Sequence, residues 1–334
     1  MNRRWVCSDV WMDILPNFRR RQLGLKMALL SPRFDVLVDA HFDGKNELSI
    51  WNEITIKKMG TKAKLFVWIG RKYMPFPLPD HPLPNKIRFN YLRIEYIDHS
   101  VITFLRTNQQ IFDKGTKLSF IVYFSVSAKE VQPNWDVFAP EIWPIFAPNI
   151  RHFNFTYGNT LENLRRLISP TILSNFNIIS IRSDNLLPDV IADDGLNATI
   201  VQALSKWLQI PTKDGNPKQL RCCEYGHTYV RDHRAFLSSI TSSASCIIRI
   251  GHCKSMEIEP FELINERTNE KLTLETEGQL GNQLIIKRCQ IGETVQWEDQ
   301  NLNNVNFILG KDCIGPLVST GGGPKEPKKS SENE

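Results

Sequence analysis

Apolar residues recur at two periods along this chain, and each change of period marks a change of element. Near the N-terminus the spacing is three and four: Val10 and Ile14, then Leu25 and Leu29, then Phe34, Leu37 and Val38. That spacing predicts three short helices, with Pro16, Pro32 and basic residues at the joints. Helices this short cannot bury so much apolar surface among themselves, so part of it awaits a partner. From Leu48 to Lys57 the period drops towards two, with Leu48, Ile50, Ile54 and Ile56 apolar, which predicts a strand. Lys64 to Ile69 and Tyr73 to Phe76 predict a hairpin around Gly70-Arg71-Lys72. Five prolines between Pro75 and Pro84 then predict a stiff extended connector without regular structure.

From Lys86 a βα unit repeats. Its short strands carry Phe89-x-x-Leu92-x-Ile94, Leu118-x-Phe120, Ile150-x-x-Phe153-x-Phe155, Phe176-x-x-Ile179-x-Ile181, Leu220-x-Cys222 and Ile248-x-Ile250. Helix-sized segments lie between them, among them Ser100 to Phe112, Trp135 to Phe146 and Thr199 to Leu208. Such alternation predicts right-handed crossovers on a parallel sheet. The Leu-x-x-Leu-x-Leu spacing is the strand pattern of leucine-rich repeats, and it predicts an irregular open solenoid. A closed βα barrel needs eight strands, and only about six can be placed here. After Phe261 the segments Phe261–Ile264, Lys271–Leu274 and Leu284–Lys287 predict a small antiparallel cap, and the Gly-, Pro-, Lys- and Glu-rich tail a disordered end. The expected fold is thus a helical head joined to an α/β part. The boundaries are head 5–44, hairpin and proline-rich connector 46–85, βα repeats 86–256, β cap 257–318 and tail 319–334.

The head resembles an F-box, the docking module of substrate receptors in cullin–RING ubiquitin ligases. Ile14-Leu15 falls at the family's first-helix apolar pair, Gln22-Leu23 at the polar–leucine step opening the second helix, and Ser31 with Arg33-Phe34 at the junction with the third. The family's opening Leu-Pro and its late Trp are not in this sequence. Head, irregular repeats and β cap together resemble a large F-box receptor family expanded in nematodes, as do the tract Pro75 to Pro84 and the segment Phe261 to Cys289. The resemblance implies a non-catalytic receptor whose head binds an adaptor subunit, and through it a cullin. It implies that Val10, Ile14, Leu15, Phe18, Leu23, Leu25, Leu29 and Phe34 form the adaptor surface. Read without the resemblance, the same helices are an N-terminal cap on a larger domain, and the chain is a repeat-type protein-binding scaffold.

Composition narrows the class. Of 334 residues, 41% are hydrophobic and 23% charged, the balance of an ordinary globular chain, and no apolar run spans a bilayer. The N-terminus reaches Asp9 and Asp13 without a continuous apolar core, so no secretory signal is expected and the location is cytoplasmic or nuclear. The seven cysteines have no framework spacing and read as packing residues in a reducing compartment. A net charge of +5 gives no concentrated basic stripe, so neither nucleic acid nor membrane is an expected partner.

Candidate chemistry is sparse. Cys222-Cys223 with His227, and Cys246 with His252-Cys253, lack the Cys-x-x-Cys spacing of a zinc site, so no metal is expected. Asp98-His99, Asp184, Glu224 and His252 would be an acid–base set only in a barrel; Asp98 reads better as a helix N-cap. Gly321-Gly322-Gly323-Pro324-Lys325 leads into no helix, so phosphate binding and cofactors are not expected. What remains is a charge bias. In each repeat strand the residue between the last two apolar positions, and the one after them, points away from the core. Those positions hold Arg93, Arg182, Arg221 and Arg249 against one acid, Glu95. Arg182, Arg221 and Arg249 fall in successive units, where they would line up to receive an acidic or phosphorylated segment of a target protein.

Overall fold

Period-two patterning builds the body of the molecule, and one strand from the far end of the chain completes it. The computed structural model describes residues 6–18, 22–23, 27–44, 49–69, 71–83, 87–112, 116–122, 135–155, 158–175, 178–184, 186–223, 244–251, 259–266, 268–277, 283–296, 303–309 and 313–317. Thirteen strands form one mixed sheet. They are β1 Ser49–Met59, β2 Lys62–Ile69, β3 Lys72–Pro77, β4 Ile87–Ile94, β5 Thr116–Val122, β6 Ile150–Phe155 and β7 Ser180–Asp184, then β8 Lys218–Cys223, β9 Cys246–Gly251, β10 Phe261–Asn265, β11 Glu270–Glu277, β12 Gln283–Gln290 and β13 Asn303–Leu309. Their spatial order is β10-β11-β12-β9-β8-β7-β6-β5-β13-β4-β1-β2-β3. The run from β1 to β9 through β13 is parallel. Both margins are antiparallel meanders.

This order corrects the expected solenoid. A solenoid stacks its strands in chain order, each unit touching only its neighbours. Here β13 enters between β4 and β5 and pairs parallel with both, and β1 pairs with β4 across the β2–β3 hairpin. The expected antiparallel cap, β10–β12, is hydrogen-bonded through β12 onto β9 and so continues the same sheet. The fold is therefore mixed α/β. Its physical anchor is Phe307, fully buried and edge-on to Phe138 at 5.1 Å and Phe146 at 5.7 Å, beside fully buried Val305. Aromatic pairs of this kind add about 0.5–1.5 kcal/mol each beyond area burial.

One row of apolar side chains runs across the parallel strands, including Leu92, Val305, Phe153, Ile181, Leu220 and Ile248, all within a single core. Helices cover that face. Leu161 and Leu164 of the helix Gly158–Leu167, and Leu204, Trp207 and Leu208 of the helix Ile200–Leu208, pack into the same core. Local sequence sets the helix starts. The Asp98 side chain accepts from Val101 N at 3.0 Å to cap the helix His99–Thr107, and Thr199 with Gln202 forms a reciprocal capping box at Ile200. Arg165 ties the β7 crossover down, its guanidinium donating to the carbonyls of Pro170, Ala198 and Gly195 at 3.0, 2.6 and 3.0 Å.

The expected three-helix head is also corrected. Among the described residues it holds two α-helices, α1 Ser8–Ile14 and α2 Pro32–Gly44, with 3₁₀ turns at Leu15–Asn17 and Ala28–Leu30 between them. The head has its own small core of Leu15, Leu23, Ala28, Leu37 and Val38, and Trp11 meets Phe34 edge-on at 4.8 Å. Pro75 and Pro77, expected in an irregular connector, belong to β3. An outermost strand tolerates proline because one side of its ladder needs no N–H donor. Among the described residues no helix is long and apolar enough to cross a membrane.

Candidate functional site

The face of the sheet opposite the main core carries the charge bias read from the sequence. Ile181, Leu220 and Ile248 point into the core, so the next residue on each strand points the other way. Register then decides whether those residues meet. Arg182 pairs with Arg221, and Arg221 with Arg249, on three adjacent parallel strands. At about 4.8 Å between strands, the three Cα atoms span roughly 10 Å. Arg182 is exposed, and Arg221 and Arg249 are half-buried.

Like charges directly opposite on neighbouring strands oppose sheet formation by ~0.2–1 kcal/mol per pair. One carboxylate offsets part of this: Glu277 of β11 lies 3.4 Å from Arg249, a pair open to solvent on the glutamate side and of small net worth. The side chains of Arg182 and Arg221 make no ion pair or hydrogen bond with any other described residue. Two arginines at paired positions of adjacent strands can grip one anion from two sides.

The row continues in neutral residues. Asn154 pairs with Arg182, Ser119 with Asn154, Asn306 with Ser119, and Arg93 with Asn306. Arg93 therefore stands four strands from Arg182, and it is held 2.5 Å from Glu95, the residue just past the end of its strand. The structure brings together three of the four expected arginines and leaves the fourth apart. Asn306, whose amide donates to the Tyr91 hydroxyl, has no place in the repeat pattern because β13 does not belong to the βα series. Its own alternation, Asn304-Val305-Asn306-Phe307, is the signal that could have found it.

The expected adaptor residues divide by burial. Leu15 and Leu23 are fully buried within the head, and Ile14 and Phe34 are half-buried. Val10 and Phe18 are exposed, at 47% and 37%, and so are Leu30 and Val36. Leu29 lies in the turn Ala28–Leu30, and Leu25 falls outside the described residues.

Of the discounted chemistry, Cys222 and Cys246 both face the main core, and the Cys222 thiol donates to the Leu186 carbonyl at 2.9 Å. His227, Glu224, His252, Cys253 and Gly321 to Lys325 fall outside the described residues. Among those described, no three His, Cys, Asp or Glu side chains are grouped to hold a metal. Comparison with known families, with curated proteins and with solved structures finds no match.

Proposed function

We propose that this chain is a substrate receptor of a cullin–RING ubiquitin ligase, working in the cytoplasm or nucleus. Its head docks on an adaptor, and Arg182, Arg221 and Arg249 hold an acidic or phosphorylated segment of the target protein. The receptor itself is not catalytic. The observation that carries the reading is the in-register alignment of these arginines on three adjacent strands, two of them with no anionic partner among the described residues. A row only about 10 Å wide suits one short anionic segment, whereas a nucleic-acid backbone or bilayer engages a wider basic surface. For docking, the support is the F-box resemblance together with Val10, Phe18, Leu30 and Val36, exposed on a head that keeps its own core.

Affinity purification of the tagged chain, with mass spectrometry for adaptor and cullin, tests the docking half. Replacing Val10 and Phe18 by Asp leaves the head core untouched and is expected to remove both. Reversal of charge at Arg182, Arg221 and Arg249 tests the other half; target capture that persists with little salt dependence refutes it. A second reading is favoured by Leu15 and Leu23, expected at the adaptor surface but fully buried in the head's own core: a protein-binding scaffold without ubiquitin machinery. It keeps arginine-dependent capture and brings down neither adaptor nor cullin.

A further inference from the structure

Where β6, β7 and β8 begin, away from the arginine row, the molecule holds a cavity of about 440 Å³. That volume is within the usual range for small-ligand pockets. Ile178, Ile210 and Pro211 give it apolar walls, and Arg151 and Lys218 bring two cations to it.

Both cations are placed by specific features of the fold. Thr116 pairs with Ile150 and Lys117 with His152, so Arg151 is the extra residue of a bulge in β6. Bulges re-aim a side chain and concentrate beside functional sites. Backbone bonds set its neighbours: Ile179 N donates to Arg151 O at 2.7 Å, and Gln219 N to Ile179 O at 2.9 Å. Lys218 is only 5% exposed. Its ammonium donates to the Trp207 carbonyl and sits 5.0 Å from the centre of the Trp207 ring. An ammonium carries three N–H donors, and among the described residues no carboxylate pairs with this one. A buried cation with donors to spare, beside a second cation on a bulge, needs an anion to complete it.

We infer that this cavity binds a small organic anion, with a short apolar body against Ile178, Ile210 and Pro211 and a single carboxylate or phosphate between Arg151 and Lys218. Binding draws on the ammonium form of Lys218. Burial holds its pKa down to about 7, so the free site loses that charge above neutrality. The other polar groups at the cavity are Lys213, Asp214, Thr212, whose hydroxyl donates to the Asn216 carbonyl, and Ser174, which donates to Asp194. On β9, Cys246 pairs with Lys218, and burial pushes its thiol up to about 11; beyond it lies the closed Glu270–Arg288 ion pair. Affinity should therefore fall about tenfold per pH unit from about pH 7 upward.

The test is calorimetric titration of the full chain with hexanoate and with phenyl phosphate, each between about pH 6.5 and 9. At least one probe should bind, with the predicted loss above neutrality, and the tighter of the two identifies the head group. Arg151→Gln should weaken it about tenfold or more. Lys218→Met should both weaken binding and remove its pH dependence; if that variant misfolds by circular dichroism, Arg151→Gln and the wild-type pH profile decide alone. No binding of either probe at millimolar concentration overturns the inference. So does binding indifferent both to pH and to Arg151→Gln.

Discussion

Lys218 offers a stability test that needs no ligand. Its pKa stands near 7 in the folded chain against an ordinary 10.5, and the cause is burial of the ammonium. Below about pH 7 both folded and unfolded chains carry the proton, and the whole cost of burying the charge is present. Between the two values the unfolded chain binds one more proton than the folded one, so stability rises with pH. The slope is about 1.4 kcal/mol per unit, and over the full gap of some three and a half units the cost is roughly 4–5 kcal/mol. Lys218→Met keeps the stem packed on Trp207 and removes the titration. It forfeits the bond to the Trp207 carbonyl, about 1 kcal/mol, and a cation–π contact of about 1–2 kcal/mol. The variant should then be more stable than the wild type by about 2 kcal/mol at pH 7, and the advantage should vanish or invert by about pH 9. Urea midpoints of both proteins across that range measure it, and groups common to both cancel in the difference. Parallel pH profiles for wild type and variant would refute the reasoning.

Other substitutions probe the fold at single points. Arg165→Met leaves the carbonyls of Pro170, Gly195 and Ala198 without their donor, and should cost about 3 kcal/mol or more in denaturant unfolding. Gly315→Ala would put a Cβ 1.9 Å from the hydroxyl of Tyr96, a side chain buried to 2% exposure that cannot swing aside, so a loss of about 1–3 kcal/mol is expected by the same assay. Asp98→Ala removes the cap on Val101 N and should lower stability by about 1 kcal/mol, whereas Asp98→Asn should retain most of it.

The features legible in the sequence are those set by near neighbours. The arginine row could be read because β7, β8 and β9 follow one another in the chain and pair in that order. With Ile181, Leu220 and Ile248 fixed in the core, the two-residue period sends Arg182, Arg221 and Arg249 to the opposite face, and parallel register aligns them. The cap at Asp98 was legible for the same reason, since donor and acceptor are three residues apart. The cavity gave no such signal. It depends on a one-residue slip between β5 and β6 at Arg151, and on a lysine whose charge means something only once Trp207 covers it.

The largest departure from expectation follows from loop closure. Asn303–Leu309 alternates polar and apolar like any strand, and nothing local says which strands it joins. Its partners β4 and β5 lie roughly two hundred residues earlier in the chain. The entropy of closing so long a loop grows only slowly with its length, so distance along the chain does not forbid the pairing. What selects it is the cluster built around Phe307, where Phe138 and Phe146 come from the crossover between β5 and β6. Without β13, β4 and β5 would face each other across an unfilled gap, and that crossover would lose the ring against which it packs. The strand is thus a keystone between the N-terminal hairpin and the arginine-bearing strands. On the proposed receptor reading, such a joint would keep the arginine row at a fixed distance from the N-terminal hairpin.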